Sequence, residues 1–193
     1  TRQNAILNEF VIMKTGSNIF SLHLILTAGF IVMPLLIIEN QIVSMIDNWR
    51  LYLPAVLLSF LGMIPLIVIS EKFKKTKYIL LISILLLIAS QIIFFSLNLN
   101  FKVFLITLTI FFVAFNTVEA LLPSLLSRTA SASKRGLAMG IFSTSQFLGT
   151  FIGGAIGGFI YDIYDLNSVF LFTIFVAIIW WLLILFMPLK SKT

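Results

Sequence analysis

One glutamate, Glu119, lies inside a long apolar run that also contains Asn116 and Pro123. An ionisable group buried in an apolar helix costs at least about 2.5 kcal/mol on membrane-insertion scales, so it normally faces a cavity or a partner. Pro123 has no N–H for the carbonyl four residues earlier, which is that of Glu119. The spacing of i, i+3 and i+7 places all three residues on one helix face. A carboxyl on such a polar face can take up and release a proton.

Two further polar side chains lie at a similar depth in other apolar runs. Gln146 and His23 lie roughly 13 Å and 7 to 8 Å from the ends of their predicted helices, at about 1.5 Å per residue. His23, Glu119 and Gln146 could therefore share one cavity, in which Asn116 and Gln146 hydrogen-bond a solute or the carboxyl. Structural alternatives stay open. Glu119 could brace a bent helix, His23 could contact interfacial water, and the amides could hold helices together.

The run GTFIGGAIGG, residues 149–158, carries glycines at helical spacing. Small residues four apart allow another helix to approach closely. We therefore expect these glycines to pack against a neighbouring helix, with a hinge as the alternative role. The glycines form two series, Gly149, Gly153 and Gly157 in one and Gly154 and Gly158 in the other.

Six apolar segments must position these residues. Each is near or above the roughly 20 residues that a helix needs to cross the hydrocarbon core, and backbone in lipid must be helical. The predicted fold class is therefore all-α integral membrane, with six transmembrane helices and a lipid bilayer around them. The helices are predicted at about 18–38, 50–70, 78–97, 101–127, 137–161 and 168–188, between a cytoplasmic linker at 1–17 and a cytoplasmic tail at 189–193.

Lys and Arg are distributed unevenly between the two ends of this bundle. Of the 13 Lys and Arg residues, only Arg50 and Lys102 fall on one side, which leaves eleven on the other. Cytoplasmic loops carry the positive excess, so both termini are predicted to be cytoplasmic. This topology explains the net charge of +6, and the short loops leave no soluble domain that could bind nucleic acid.

The composition agrees with a membrane protein and argues against several chemistries. Hydrophobic residues make up 60% of the chain and charged residues 10%, whereas soluble domains have about 45 to 50% and about 25%. The sequence has no Cys and one His, so it lacks a cysteine nucleophile and a metal-binding motif. A single intramembrane carboxylate without a paired base argues against an enzyme. We expect no metal and no cofactor.

A resemblance to a known family lies in FFVAFNTVEALLPSLLSRTASASKRGLAMGIFSTSQFLGTFIGGAIGGFIYD, residues 111–162. This run resembles the tenth and eleventh helices of a major facilitator superfamily transporter, closest to the YajR-like branch of proton-coupled, drug-exporter-type members. ISEKFKKTK, residues 69–77, is similar to the family's cytoplasmic loop motif. Glu71 stands in place of its aspartate, Lys72 and Lys75 stand in place of its arginines, and its glycines are missing.

The resemblance implies that the chain is helices seven to twelve, the C-terminal half of a twelve-helix protein. Such a half is a 3+3 inverted repeat, and VMPLLI around Pro34 echoes LLPSLL around Pro123 in the matching helices. The implied partner is the N-terminal six-helix half of the same transporter. The implied function is proton-coupled efflux of small solutes or drugs by alternating access in the cell (inner) membrane.

Family positions also imply roles for the polar residues. His23, Asn116 and Glu119 would line the central cavity, and Gln146 and the glycines would lie on a helix that shapes the face between the halves. Two interpretations from other classes stay open. The chain could be a self-standing six-helix protein that dimerises into a channel or carrier, or it could be a membrane scaffold.

Overall fold

The computed structural model describes residues 2–96 and 99–186, with side chains from Met13 onward except those of Met45 and Ser96. Six α-helices follow one another, and the described residues contain no β-strand. This confirms the all-α fold class. The helices are α1 (Arg2–Glu39), α2 (Trp49–Lys72), α3 (Thr76–Ser96), α4 (Phe101–Thr129), α5 (Arg135–Ile163) and α6 (Leu166–Phe186), with short 3₁₀ turns at Met45–Asp47 and Ala132–Lys134.

Helix boundaries follow the apolar segments closely, with one exception. Helices α2 to α5 begin and end within two residues of their predicted bounds, and α6 begins two residues early. The predicted tail at 189–193 lies outside the described residues. The exception is α1, which begins at Arg2, so residues 2–17, assigned to a linker by the sequence, continue the first helix. No proline interrupts this segment and Gly16 is its one glycine, so the helix continues through it.

Five helices in the described part of the chain are long and apolar enough to cross a membrane: α1 from Met13, α2, α3, α4 and α6. The sequence analysis counted six such segments. Helix α5 has 29 residues, which is sufficient length, but it is not one of these five, and its glycines and its Ser, Thr and Gln residues lower its hydropathy. The glycine run and Gln146 both lie in α5.

Helices α1 and α5 are parallel and their backbones touch. Phe20 of α1 lies opposite Gly149 of α5, and Ala28 lies opposite Gly157, so both helices advance in the same direction. A side-chain carbon on Gly149 would overlap the carbonyl oxygen of Phe20, and one on Gly157 would lie 2.9 Å from the Cα atom of Ala28. Glycine is therefore required at this face because a neighbouring backbone occupies the space of a side chain.

The second glycine series makes looser contacts. A side-chain carbon on Gly154 would lie 3.4 Å from Thr27 Cγ2, and one on Gly158 would lie 3.9 Å from Ile31 Cδ1. These are ordinary van der Waals distances. The two series that the sequence treated alike therefore differ, because only the first lies on the line of backbone contact.

Helices α3 and α6 are antiparallel and share buried polar contacts. Thr173 of α6 donates a hydrogen bond of 2.9 Å to Gln91 Oε1 of α3, and Trp181 of α6 donates one of 3.2 Å to the carbonyl of Leu81. Trp181, which follows Thr173 in α6, thus contacts Leu81, which precedes Gln91 in α3. Together with the short loops, these pairings give α1, α3 and α5 one direction and α2, α4 and α6 the other, as six alternating crossings require.

We predict that Gly153→Ala destabilises the bundle and that Gly158→Ala does not. A side-chain carbon at Gly153 overlaps the backbone of Leu24, and overpacking of this kind costs about 1 to 3 kcal/mol. At Gly158 the nearest atom to an added side-chain carbon, Ile31 Cδ1, lies 3.9 Å away. An alanine fits there without a clash, and its higher helix propensity is the main effect on stability. The free energy of unfolding is measured by detergent-induced unfolding of the lipid-reconstituted protein. Equal changes in the free energy of unfolding for the two variants would contradict the conclusion that only the first glycine series lies on the line of backbone contact.

Candidate functional site

Three helices bring His23, Glu119 and Gln146 into contact. The Gln146 amide nitrogen of α5 lies 2.9 Å from His23 Nε2 of α1 and 3.3 Å from Glu119 Oε1 of α4. His23 Nε2 lies 3.8 Å from Glu119 Oε2, which is too long for a hydrogen bond. The structure therefore brings together three of the four polar residues that the sequence singled out.

The hydrogen-bond partners determine which imidazole nitrogen carries the proton. His23 Nδ1 lies 3.2 Å from the carbonyl oxygen of Ile19, and a carbonyl oxygen can only accept, so Nδ1 is protonated. In a neutral imidazole, Nε2 is then the acceptor. The Gln146 NH₂ group has two hydrogens, and it donates one to His23 Nε2 and the other to Glu119 Oε1. One amide thus joins α5 to both α1 and α4.

The Glu119 carboxyl is satisfied on one side only. Oε1 accepts from Gln146, whereas Oε2 is buried and has no hydrogen-bond partner among the described atoms. The Glu119 side chain as a whole is 33% exposed and that of His23 is 10% exposed. A buried oxygen with unused lone pairs is rare in a folded protein and calls for an explanation.

Two features of α4 shape the surroundings of this cluster. The ring of Phe115 makes an edge contact with the His23 imidazole, with 5.5 Å between ring centroids. Pro123 lies inside α4, which continues to Thr129, and it provides no N–H to the Glu119 carbonyl. The imidazole is therefore held between an aromatic ring and the Ile19 carbonyl, and the Glu119 carbonyl lacks the N–H donor that a helix normally provides four residues later.

Asn116 does not reach the carboxyl. Its amide nitrogen donates a hydrogen bond of 2.8 Å to Ser59 Oγ of α2, and Ser59 Oγ donates one of 2.6 Å to the carbonyl of Val56. Asn116 therefore joins α4 to α2, and of its two predicted contacts, with solute or with the carboxyl, the structure does not show the second. Asn116 and Glu119 are three residues apart, about 60° around the helix, so a different neighbour receives each side chain.

The loop-motif residues lie at the end of α2 and make separate contacts. Glu71 pairs with Arg128 of α4 at 3.3 Å and accepts a hydrogen bond of 3.3 Å from Ser124. Both charged side chains of the pair are about half exposed, so the pair adds little stability. Lys72 lies over the ring of Phe73, and Lys75 is exposed. These contacts join the ends of α2 and α4 without reaching the His23 cluster.

Ser59 and Gly62 of α2 make contacts with α4 that the sequence analysis missed. A side-chain carbon on Gly62 would lie 2.6 Å from Val113 Cγ2, so Gly62 makes room for a side chain of α4, whereas Gly149 of α5 makes room for the backbone of α1. A sequence signal existed, because SFLG at 59–62 repeats as QFLG at 146–149. Among the described side chains, no group of three or more His, Cys, Asp or Glu residues could hold a metal ion.

We predict a measurable coupling energy between Ser59 and Asn116. Interhelical hydrogen bonds of this kind average about 0.6 kcal/mol in membrane proteins, with a maximum of about 1.7 kcal/mol. The variants Ser59→Ala, Asn116→Ala and the double variant form a double-mutant cycle of unfolding free energies. A coupling energy indistinguishable from zero would show that the contact does not hold α2 against α4.

Comparisons with known proteins place this fold in a family. Residues 15–193 match the Major Facilitator Superfamily. The chain is similar to the inner membrane transport protein YajR of Escherichia coli (strain K12), with 34% identity over 175 residues, which are 91% of this chain and 38% of that protein. Both the family and this relative point to transport rather than to catalysis.

Two further relatives are uncharacterized transporters of Buchnera aphidicola. The one from subsp. Acyrthosiphon pisum (strain APS) is 39% identical over 158 residues, 78% of this chain and 38% of the relative. The one from subsp. Baizongia pistaciae (strain Bp) is 29% identical over 180 residues, 92% of this chain and 45% of the relative. The chain spans less than half the length of each of these three relatives. With its membrane-spanning helices and a match over nearly its whole length, the chain belongs to the major facilitator superfamily.

Proposed function

We propose that this chain is the C-terminal half of a proton-coupled transporter that exports small solutes, including drugs, by alternating access, and that Glu119 carries the coupling proton. The observation that carries the proposal is the Glu119 carboxyl, which lies within an apolar helix, is bonded by Gln146 at Oε1 and has no partner at the buried Oε2. A carboxyl inside an apolar helix with an unpartnered oxygen indicates a functional role.

The chemistry of the neighbours supports proton exchange over permanent pairing. A structural carboxylate in an apolar environment is usually neutralised by Arg or Lys, which would hold its charge in place. Glu119 instead has a neutral amide and an imidazole beside it. Whether water reaches the carboxyl determines how strongly it holds a proton. A cavity that opens to each side of the membrane in turn would therefore load and release that proton.

The proposed partner is the N-terminal six-helix half of the same transporter. The chain covers 38% of the length of YajR, which leaves room for a second half of similar size. Large apolar side chains on α2 and α5 are exposed, among them Leu61 at 68% and Phe151 at 73%. Exposed apolar area of this extent has to be covered by lipid or by another protein surface. Rocking of two halves around the Glu119 cavity would then give alternating access.

We also propose a location and an orientation. The name of YajR refers to the inner membrane, so we assign this chain to the cell (inner) membrane. The excess of Lys and Arg on the side that includes Lys72, Lys75 and Arg128 favours cytoplasmic termini. The Glu71–Arg128 pair joins the ends of α2 and α4, so these two helix ends lie on one side of the bundle, as the proposed orientation requires.

The prediction that tests this function compares Glu119→Gln with Glu39→Gln. Glutamine keeps the size of the side chain but cannot exchange a proton. The complete transporter is reconstituted in vesicles, and efflux of a panel of fluorescent drug-like solutes is followed with and without an imposed pH gradient. Glu119→Gln should reduce gradient-driven efflux to the rate without a gradient. Glu39→Gln should match the unchanged protein, because Glu39 is exposed at the end of α1.

Unaltered gradient dependence in Glu119→Gln would remove the coupling role from this residue. A transport rate that falls equally with and without the gradient would assign Glu119 to solute binding or to folding instead. Size-exclusion chromatography of both variants separates the last two cases, because a misfolded membrane bundle does not elute as a single species.

A further inference from the structure

The lone pair of His23 Nε2 can accept a hydrogen bond from Gln146 or can bind a proton, but it cannot do both at once. Gln146 donates to it now, at 2.9 Å. The Ile19 carbonyl holds the hydrogen of the other ring nitrogen, so the imidazole cannot change tautomer without losing that bond. A proton arriving at the ring therefore has a single place to bind, the atom that Gln146 occupies.

Protonation of Nε2 reverses the hydrogen-bonding roles. Nε2–H becomes a donor and faces the donor NH₂ of Gln146, so that contact turns repulsive. Turning the Gln146 amide would present its oxygen to the ring, but the same oxygen would then lie against Glu119 Oε1, which also accepts. The free acceptor beside the ring is Glu119 Oε2, at 3.8 Å. A charge-assisted hydrogen bond to it would need an approach of about 1 Å.

We propose that Gln146 and a proton compete for Nε2 of His23, so that proton binding exchanges an α1–α5 hydrogen bond for an α1–α4 ion pair. The proton adds to the Nε2 lone pair, the Gln146–His23 bond is released, and the imidazolium contacts the Glu119 carboxylate. His23 becomes a second proton-binding group. Gln146 is the positioning residue, because its hydrogen bond links the protonation of His23 to α5. The role of this exchange in transport rests on the function proposed above.

Apart from Glu119, the charged groups from Met13 onward on the helices around His23 lie at helix ends, except Lys14, which lies within α1. Helix α1 packs against α4, α5 and α6, and α4 packs against α2 and α3 as well. Helix α6 has no charged residue in its described length. Lys14, the nearest along α1, is nine residues from His23, roughly 13 Å at about 1.5 Å per residue. The charged residues of these helices, apart from Glu119, are Lys14, Glu39, Arg50, Glu71, Lys72, Lys77, Lys102, Arg128, Arg135 and Asp162 among residues 13–96 and 99–186.

The test is a pH titration of the complete protein in lipid nanodiscs, followed by ¹⁵N NMR. His23 is the single histidine of this chain, and His23→Gln assigns its ring signals. Gln146→Met assigns the Gln146 amide signal. The proton itself is the probe, so neither solute nor gradient is needed. At high pH we expect a hydrogen on Nδ1 and none on Nε2. On acidification, the ring and the Gln146 amide signal should shift together, with one shared midpoint.

Gln91→Met is the matched control. Gln91 is also a buried amide, but it bonds Thr173 between α3 and α6. In Gln91→Met we expect the His23 ring and the Gln146 amide to titrate together as in the unchanged protein. In Gln146→Met the Nε2 chemical shift at high pH should lose the contribution of the hydrogen bond. A Gln146 amide signal that ignores His23 protonation in the unchanged protein would overturn the proposal, as would a hydrogen on Nε2 at high pH.

The two proposals fail separately. A joint titration in a protein whose gradient-driven efflux survives Glu119→Gln would refute the coupling role proposed for Glu119 and leave the competition at Nε2 intact. Separate titrations of the ring and the amide would refute the competition, whatever the transport assay shows.

Discussion

Backbone contact between α1 and α5 positions the site around Glu119. Gly149 lies against the Phe20 carbonyl, and Gln146 is three residues earlier on α5, nearly one turn away. A side chain at this face would push the helices apart by the width of a methyl group, and the 2.9 Å contact between Gln146 and His23 would lengthen beyond hydrogen-bond distance. The glycine series is therefore a condition for the polar cluster as well as for packing.

The same arrangement recurs between α2 and α4 with different chemistry. There Gly62 makes room for the Val113 side chain, and Asn116 donates to Ser59 across the helices as Gln146 donates to His23. This correspondence fits the inverted repeat of the family. Neither Ser59 nor Asn116 titrates in the physiological range, so the α2–α4 contact holds helices together without binding a proton. The α1–α5 contact combines that task with a group that binds protons.

Much of the fold follows from the sequence because few structures are available to backbone in lipid. Apolar length alone located α2 to α5 to within two residues. Counting residues from helix ends placed Glu119 and Gln146 at one depth, and the glycine run indicated a close neighbour. The start of α1 was missed because hydropathy marks where a helix leaves the membrane, whereas the helix itself continues until a residue such as proline stops it.

Partner choice within the cluster was not accessible from the sequence. Asn116 and Glu119 share a face at the resolution of helical spacing, yet about 60° of rotation directs one to Ser59 and the other to Gln146. Which of two amides meets the carboxyl depends on how α2 and α5 lie on either side of α4. At Gly62, α2 packs against α4, and at Gly149, α5 packs against α1; no periodicity within α4 encodes either contact.

The hydrogen-bond balance of the cluster gives the physical reason why a proton belongs there. Gln146 offers two hydrogens, and three acceptor atoms surround it: His23 Nε2 and both oxygens of Glu119. One acceptor must stay unsatisfied, and in the structure it is Oε2. In water this deficit would cost little, but in a low-dielectric environment each unpaired acceptor costs about 1 to 3 kcal/mol. A single added proton removes the deficit, whereas an arginine in place of Gln146 would remove it permanently and leave nothing to exchange.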